Sequence, residues 1–368
     1  MKPIKLLGMA ALATFCLRAA QAQSAGKTAG LERLTNIPAT SIRALSAVSD
    51  SVAWASGTMG YVGKTLDGGI TWSWTRIPGA GTLDFRSLTA FDSLHAVTAN
   101  AGCPATIYQT FDGGRHWKRV FFSRDSAVFI DGMAFGNRDE GIAYGDPVKA
   151  PDGTDRFLLL RTGDGGRHWR AIPFEKRPVA FAKEASFAAS NTGLCAHRST
   201  SDLWMATGGT HARVLVSGDF GKSWHAHPTP LLQGKASTGI FSLAFCDQSH
   251  GIAVGGDYSA PDTRLGNAAL TRDGGKTWQK PLVNPFGYRS CVLYYSRDTL
   301  IATGPTGTDA SFDGGYTWQP LNNQGFNVIA LAPGGRRVFL AGAEGSLAIF
   351  SFSTKYTRKA RPFQQPTE

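Results

Sequence analysis

The sequence predicts an all-β chain folded as a single seven-bladed β-propeller, and three observations carry that prediction. A short motif, TFDGGRHW at 110–117, is written six times, with its aspartate at Asp67, Asp112, Asp164, Asp219, Asp273 and Asp313. The intervals between those aspartates are 45, 52, 55, 54 and 40 residues, the length of one four-stranded blade with room for long loops in the middle copies. An apolar half precedes each copy and returns once more without it, in FNVIALAPGGRRVFLAGAEGSLAIF at 326–350, so seven halves imply seven blades.

The chain opens with a basic MKPIK, an apolar LLGMAALATFCL and a small-residue RAAQAQS. That order reads as a secretory signal peptide over residues 1–22, cut after Ala22, because Ala20 and Ala22 suit the small-residue pockets of the peptidase. An apolar run of about 12 residues is too short to cross a bilayer, and Phe15 stands before Cys16 where lipidation wants a small residue. The mature chain is therefore expected to be periplasmic or secreted, and not membrane-spanning. Loss of Lys2, Lys5 and Arg18 lowers the formal charge from +11 to +8, with the excess spread along the chain. Dispersed charge on an exported protein argues against nucleic acid as a partner. The one basic cluster, TKYTRKARP at 354–362, falls in a tail (354–368) that reads as disordered. Residues 23–41 read as a linker, with a strand from 24–41 available to complete the last blade. Export permits disulfides among Cys103, Cys195, Cys246 and Cys291, and all three pairings are open. No CxxC pair or zinc-spaced His/Cys cluster occurs, so neither a metal nor a cofactor is expected.

Each apolar half reads as a strand, a turn, a second strand rich in Ala and Val, and a glycine-bearing loop. The clearest are IRALSAVSDSVAWASG (42–57), FRSLTAFDSLHAVTAN (85–100), IDGMAFGNRDEGIAYG (130–145) and IFSLAFCDQSHGIAVGG (240–256). Blade 4 is expected to start on the strand ASFAAS (185–190) and blade 6 on YRSCVLYYSRDTLIATG (288–304). No helical periodicity of useful length follows the signal. Closing such small sheets into a ring removes their free edges and gives every blade two neighbours.

The motif has turn chemistry throughout. Its aspartate stands where a hairpin reverses and accepts hydrogen bonds from the N–H groups that follow. The next two residues, a glycine pair except for Phe220-Gly221, take turn conformations with positive φ. The preceding Ser or Thr adds a bond, and the tryptophan five residues on buries its ring between blades. One carboxylate per turn offers too few oxygens for calcium. These residues resemble the Asp-box, or BNR repeat, S/T-x-D-x-G-x-x-W, which occurs in sialidases, other glycoside hydrolases, sortilin-like receptors and photosystem II assembly factors. The resemblance implies Asp-box hairpins joining the outer two strands, on the face away from any ligand site.

Function is then expected on the opposite face, where the innermost strands begin and the second and third strands are joined. Polar residues stand there at strand starts, Arg43, Arg86, Asp131 and Arg289, and in loops, Asp146, Asp257, Tyr258 and Asp309, with Glu184 and Tyr288 beside them. Three uses of such convergence stay open: a paired electrostatic network, a site whose arginine forks hold a protein, anionic or carbohydrate ligand, and a glycoside hydrolase that uses two of the carboxylates. His116, His168 and the HAH of His225 and His227 read as exposed strand and hairpin positions.

The blade count, single-propeller length and export signal resemble the photosystem II assembly and stability factor-like propellers over residues 42–350. GIFSLAF, GIAVGGDY, GYRS and GPTGTD are also similar to exported bacterial proteins of this kind, often labelled oxidoreductases. This chain carries no glycine-rich dinucleotide fingerprint and no haem, flavin or iron–sulfur ligand set. The Arg-Ile-Pro of TRIPGAG (75–81) follows the first motif, whereas in sialidases it precedes the first inner strand. The resemblance implies a monomeric, non-enzymatic exported scaffold that binds a protein through an arginine-rich face, with Arg43, Arg86 and Arg289 matching in kind.

Overall fold

The computed structural model describes residues 30–33, 38–197, 199–335 and 337–351. The signal peptide expected at 1–22 and the tail expected at 354–368 lie outside the described residues. Seven small antiparallel sheets are present, and the first strands of successive blades touch in an unbroken cycle that ends where it began. That cycle makes the chain a seven-bladed propeller. In blade 1 the strands run outward as Ile42–Ala47, Ala53–Gly57, Tyr61–Thr65 and Ser73–Arg76. Blade 7 takes three strands from the end of the chain, Val328–Leu331, Val338–Ala341 and Leu347–Ser351. Its fourth comes from the beginning, Gly30–Arg33, antiparallel to Leu347–Ser351. The two ends of the chain thus share one sheet. Among the described residues no helix is long and apolar enough to cross a membrane.

The core lies between blades. Trp54 of blade 1 packs with Phe85, Leu88 and Tyr108 of blade 2, and Trp204 of blade 4 packs with Ile240, Leu243 and Ala269 of blade 5. The aspartate turns set the register of these contacts. In the first copy Thr65 Oγ1 donates to Asp67 Oδ1 at 2.8 Å and accepts from Gly69 N at 2.8 Å, while Thr71 Oγ1 donates to Asp67 Oδ2 at 2.6 Å. The copies at Asp219, Asp273 and Asp313 repeat this with Ser or Thr, and those at Asp112 and Asp164 use the rings of His116 and His168. The second glycine of the turn seats against the preceding blade: Gly69 on Phe339 and Ile349, Gly114 on Trp54, Gly275 on Trp204. A Cβ at Gly69 would press on Ile349 and Phe339, and its φ of 94° disfavours any side chain. Every turn carboxylate is consumed by its own hairpin, so these six aspartates hold the turns whose glycines seat against the neighbouring blade.

Innermost strands share a second device. In blades 1, 2, 3 and 5 the register slips by one residue just after the strand begins, between Ile42 and Ala44, Phe85 and Ser87, Ile130 and Gly132, and Ile240 and Ser242. An extra residue in one strand of a pair re-aims its side chain. Here the extra residues are Arg43, Arg86, Asp131 and Phe241. The backbone comes close to its partner at each bulge, which is why the residue paired with the start of the slip is a glycine in three of the four blades, Gly57, Gly145 and Gly255; a Cβ on Gly145 would collide with the Phe129 carbonyl oxygen.

Blade 4 departs from expectation. Its innermost strand is Leu194–Ala196, and ASFAAS does not form it. Glu184–Ala185 pair instead with Gly208–Gly209, which pair in turn with Gly239 of blade 5. Residues 186–192, between these paired ends, leave the sheet and cross the ring as a strap. Asn191 turns the chain back with a left-handed φ of 62°, a conformation that Asn tolerates better than most residues.

Candidate functional site

The strap touches most of the ring from its middle. Arg86 of blade 2 donates to the Ala188 carbonyl at 3.2 Å, and Asn191 Nδ2 donates to the Leu88 carbonyl at 3.0 Å. Met133 N of blade 3 donates to Asn191 Oδ1 at 2.8 Å. Thr192 Oγ1 donates to Ser242 Oγ of blade 5 at 2.7 Å, and Ser190 Oγ donates to the Ser290 carbonyl, at the start of blade 6, at 2.7 Å. Blades 2, 3, 5 and 6 are therefore tied through the axis, and the channel is filled by protein.

On this floor the sequence-selected residues fall into two groups. Arg43, Arg86, Asp131, Asp146 and Tyr288 converge. Arg86 Nε donates to Asp84 at 2.7 Å, while Arg43 Nε is buried without a hydrogen-bond partner. Burial, and then the neighbouring Arg86, lower the Arg43 pKa against the opposing pull of Asp84 and Tyr288. Ser186 of the strap bridges the acids, its N–H donating to Asp146 Oδ1 at 3.1 Å and its hydroxyl to Asp131 Oδ2 at 2.6 Å. Burial raises both carboxyls, and for Asp131 the nearby Asp146 raises it further. Tyr288 is buried edge-on to Phe241 at 4.8 Å, and Phe241 stacks on Phe187 of the strap at 4.0 Å. Tyr258, half exposed, stands edge-on to both phenylalanines at 6.0 and 6.5 Å.

The remaining residues are engaged elsewhere. Arg289 is sealed in blade 6, its Nε donating to Asp309 at 2.7 Å and its Nη1 to Thr306 at 3.1 Å, with each side chain of the pair 1% exposed. Glu184 is fully buried and gripped by both forks of Arg213, at 2.8 and 2.6 Å, with Thr207 and the Phe181 N–H adding bonds. Asp257 caps its own loop through Ser259 at 2.6 and 2.9 Å. Burial alone would raise that carboxyl, but Ser259 and Ser237 outweigh it and hold it low. Beside the strap a shallow depression of about 320 Å³ is lined by Asp146, Pro147, Asp155, Phe181, Lys183, Glu184 and Ala185. All four described cysteines are free thiols, with Cys103 exposed and Cys291 buried. Among the described residues no group of three His, Cys, Asp or Glu side chains is placed to hold a metal.

Sequence reasoning passed over Arg213, Ser186, Asn191 and Phe241. Phe241 occupies a bulge position like Arg43 but is apolar, so it carried no signal. Arg213 lies 29 residues from its partner Glu184, and only the fold joins them. The one available hint of the strap was Asn191-Thr192-Gly193, turn chemistry directly after the expected strand ASFAAS.

The fold and this face together define a seven-bladed β-propeller whose channel is closed from within. No protein-family model and no curated protein sequence matches the chain. Among solved structures it is similar to YCF48 bound to a D1 peptide, at 17% identity over 89% of this chain and 96% of that one, with a TM-score of 0.59. It is also similar to YCF48 from Cyanidioschyzon merolae, at 17% identity over 87% and 98% of the two chains, with a TM-score of 0.56. The GH74 xyloglucanase from Xanthomonas campestris gives 15% identity over 87% of this chain and a TM-score of 0.58, and this chain spans 53% of that enzyme. At these identities the likeness shows the propeller fold.

Proposed function

We propose that the protein is an exported, non-enzymatic binding scaffold, photosystem II assembly factor-like with Asp-box hairpins, that captures an acidic segment of a protein partner on the funnel face. The observation that carries this reading is the imbalance on that face. Glu184, Asp309 and Asp257 are satisfied by Arg213, Arg289 and Ser259, whereas the Arg43 Nε is unpartnered and stands beside Arg86. The Arg43 guanidinium, left in that state, favours a carboxylate-bearing ligand. The aromatic floor of Phe187, Phe241, Tyr258 and Tyr288 offers apolar area next to the charge. A neighbouring fold seen with a D1 peptide supports a protein partner over a small molecule.

The test is fluorescence anisotropy with acidic, neutral and basic peptides. Acidic peptides should bind, with affinity falling as salt rises, and Arg43→Ala with Arg86→Ala should weaken binding about tenfold or more. Acidic-peptide binding that is unchanged in the double variant, or no tighter than that of neutral peptides, would overturn the reading. Glycoside hydrolysis is the alternative, and the raised carboxyls of Asp131 and Asp146 are what favour it. Asp131 is 1% exposed behind Ser186 and does not line the depression, where Glu184 is held by Arg213 and Asp155 by Lys149, so no turnover is expected across an aryl-glycoside panel. Export is tested by N-terminal sequencing of the mature chain, which should begin at Gln23.

A further inference from the structure

Ser186 fastens the strap to two acids at once. Its N–H reaches Asp146 and its hydroxyl reaches Asp131, so one residue holds the two carboxylates as neighbours. The groups that face them are accounted for. Arg86, from the bulge of blade 2, already pairs with Asp84. Tyr144, on the second strand of blade 3, is buried with its hydroxyl unpartnered. Glu184 is neutralised by Arg213, and Asp155 and Lys183 line the depression beside Asp146. Among the described residues neither Asp131 nor Asp146 forms an ion pair. Two adjacent carboxyls in such a place resist being ionised together.

We propose that Asp131, Asp146 and Ser186 form a proton-operated latch on the strap. With one proton shared between the acids the strap is docked; when that proton leaves to solvent, two like charges face each other across Ser186 and the strap loosens from blade 3. Burial raises both carboxyls, and the neighbouring Asp146 raises Asp131 further against the pull of Arg86, in keeping with this. The sign follows by linkage. A carboxyl whose folded pKa exceeds its ordinary 3.8 adds stability that is fully present below 3.8 and is lost as pH rises through the folded value. The strap is therefore firmest in acid. This inference does not depend on the face having a partner.

Hydrogen exchange of the full mature chain tests it, read by mass spectrometry on peptides covering 184–192 and corrected for the intrinsic pH dependence of exchange. Strap protection should fall about tenfold or more between pH 5 and pH 8, one pKa unit of differential ionisation being worth a factor of ten. Protection of the blade 7 strand Val338–Ala341, which none of the strap's hydrogen bonds above reaches, should stay constant. Asp131→Asn keeps an acceptor for the Ser186 hydroxyl and mimics the protonated acid, so the strap should remain protected at both pH values. Asp146→Asn, at the less buried partner, should do the same and serves if the first variant does not fold. Ser186→Ala should lower strap protection at low pH. Constant strap protection in the parent, or a pH dependence that survives in both Asn variants, would overturn the latch.

Discussion

Replacing Asn191 by alanine removes the strap's hinge, and its effect follows from the geometry. The side chain accepts from Met133 N at 2.8 Å and donates to the Leu88 carbonyl at 3.0 Å, in a left-handed backbone conformation of φ 62°. Met133 is buried, so its N–H loses its partner and finds no easy substitute. An orphaned buried donor costs about 1–3 kcal/mol. The left-handed conformation costs alanine about 1 kcal/mol relative to Asn. Together these destabilise the fold by about 2–4 kcal/mol. In a chain of this size 1 kcal/mol shifts the melting temperature by about 1–2 °C, so Asn191→Ala should melt about 3–7 °C lower by circular dichroism. Asn191→Gly keeps the backbone conformation without the bonds and should fall between parent and alanine variant. A melting temperature within about 1 °C of the parent would show that the strap bears no stability and would refute the account of it as a central tie.

Three further outcomes are expected. Glu184→Ala strands Arg213 in a nearly buried site and should cost about 3–5 kcal/mol in denaturant unfolding, whereas Glu184→Leu with Arg213→Met should recover most of that loss; equal midpoints for parent and single variant would contradict it. For the turn aspartates, burial alone would raise Asp164, Asp219 and Asp273, but hydrogen bonds from His168, Ser223 and Thr277 outweigh it and hold them at about 2. Carboxyls depressed in this way add stability that is present above 3.8 and lost as pH falls through about 2, so thermal stability should decline over that window and decline less steeply after all three become Asn. Under a maleimide reagent at pH 8, Cys103 should react at once. Cys195 and Cys246, pushed up to about 11 by burial, and the buried Cys291 should wait on unfolding; simultaneous labelling would argue against this placement.

The seven blades were legible because hairpin chemistry is local: Asp, Gly and Trp at fixed offsets need nothing from the rest of the chain. Polar residues at strand starts, Arg43, Arg86 and Asp131, were legible as exceptions to strand pattern, and the β-bulge is the physical reason they are tolerated there. The direction each side chain takes was not legible. Arg289 has the same local setting as Arg86, yet it folds back on Asp309 because the third strand of its own blade offers a carboxylate within reach. The strap was invisible because ASFAAS has ordinary strand composition, and its departure from the sheet is decided by what waits at the axis: Ser186 finds two acids, Asn191 finds blades 2 and 3, and Thr192 finds Ser242.

A propeller without such a crossing is mechanically a necklace, in which a disturbance in one blade reaches the far side only by passing through every blade between. The strap gives this ring spokes. Blade 2 and blade 6 meet through a few residues from Ala188 to Ser190, so a ligand that shifts Arg86 has a short route to the start of blade 6.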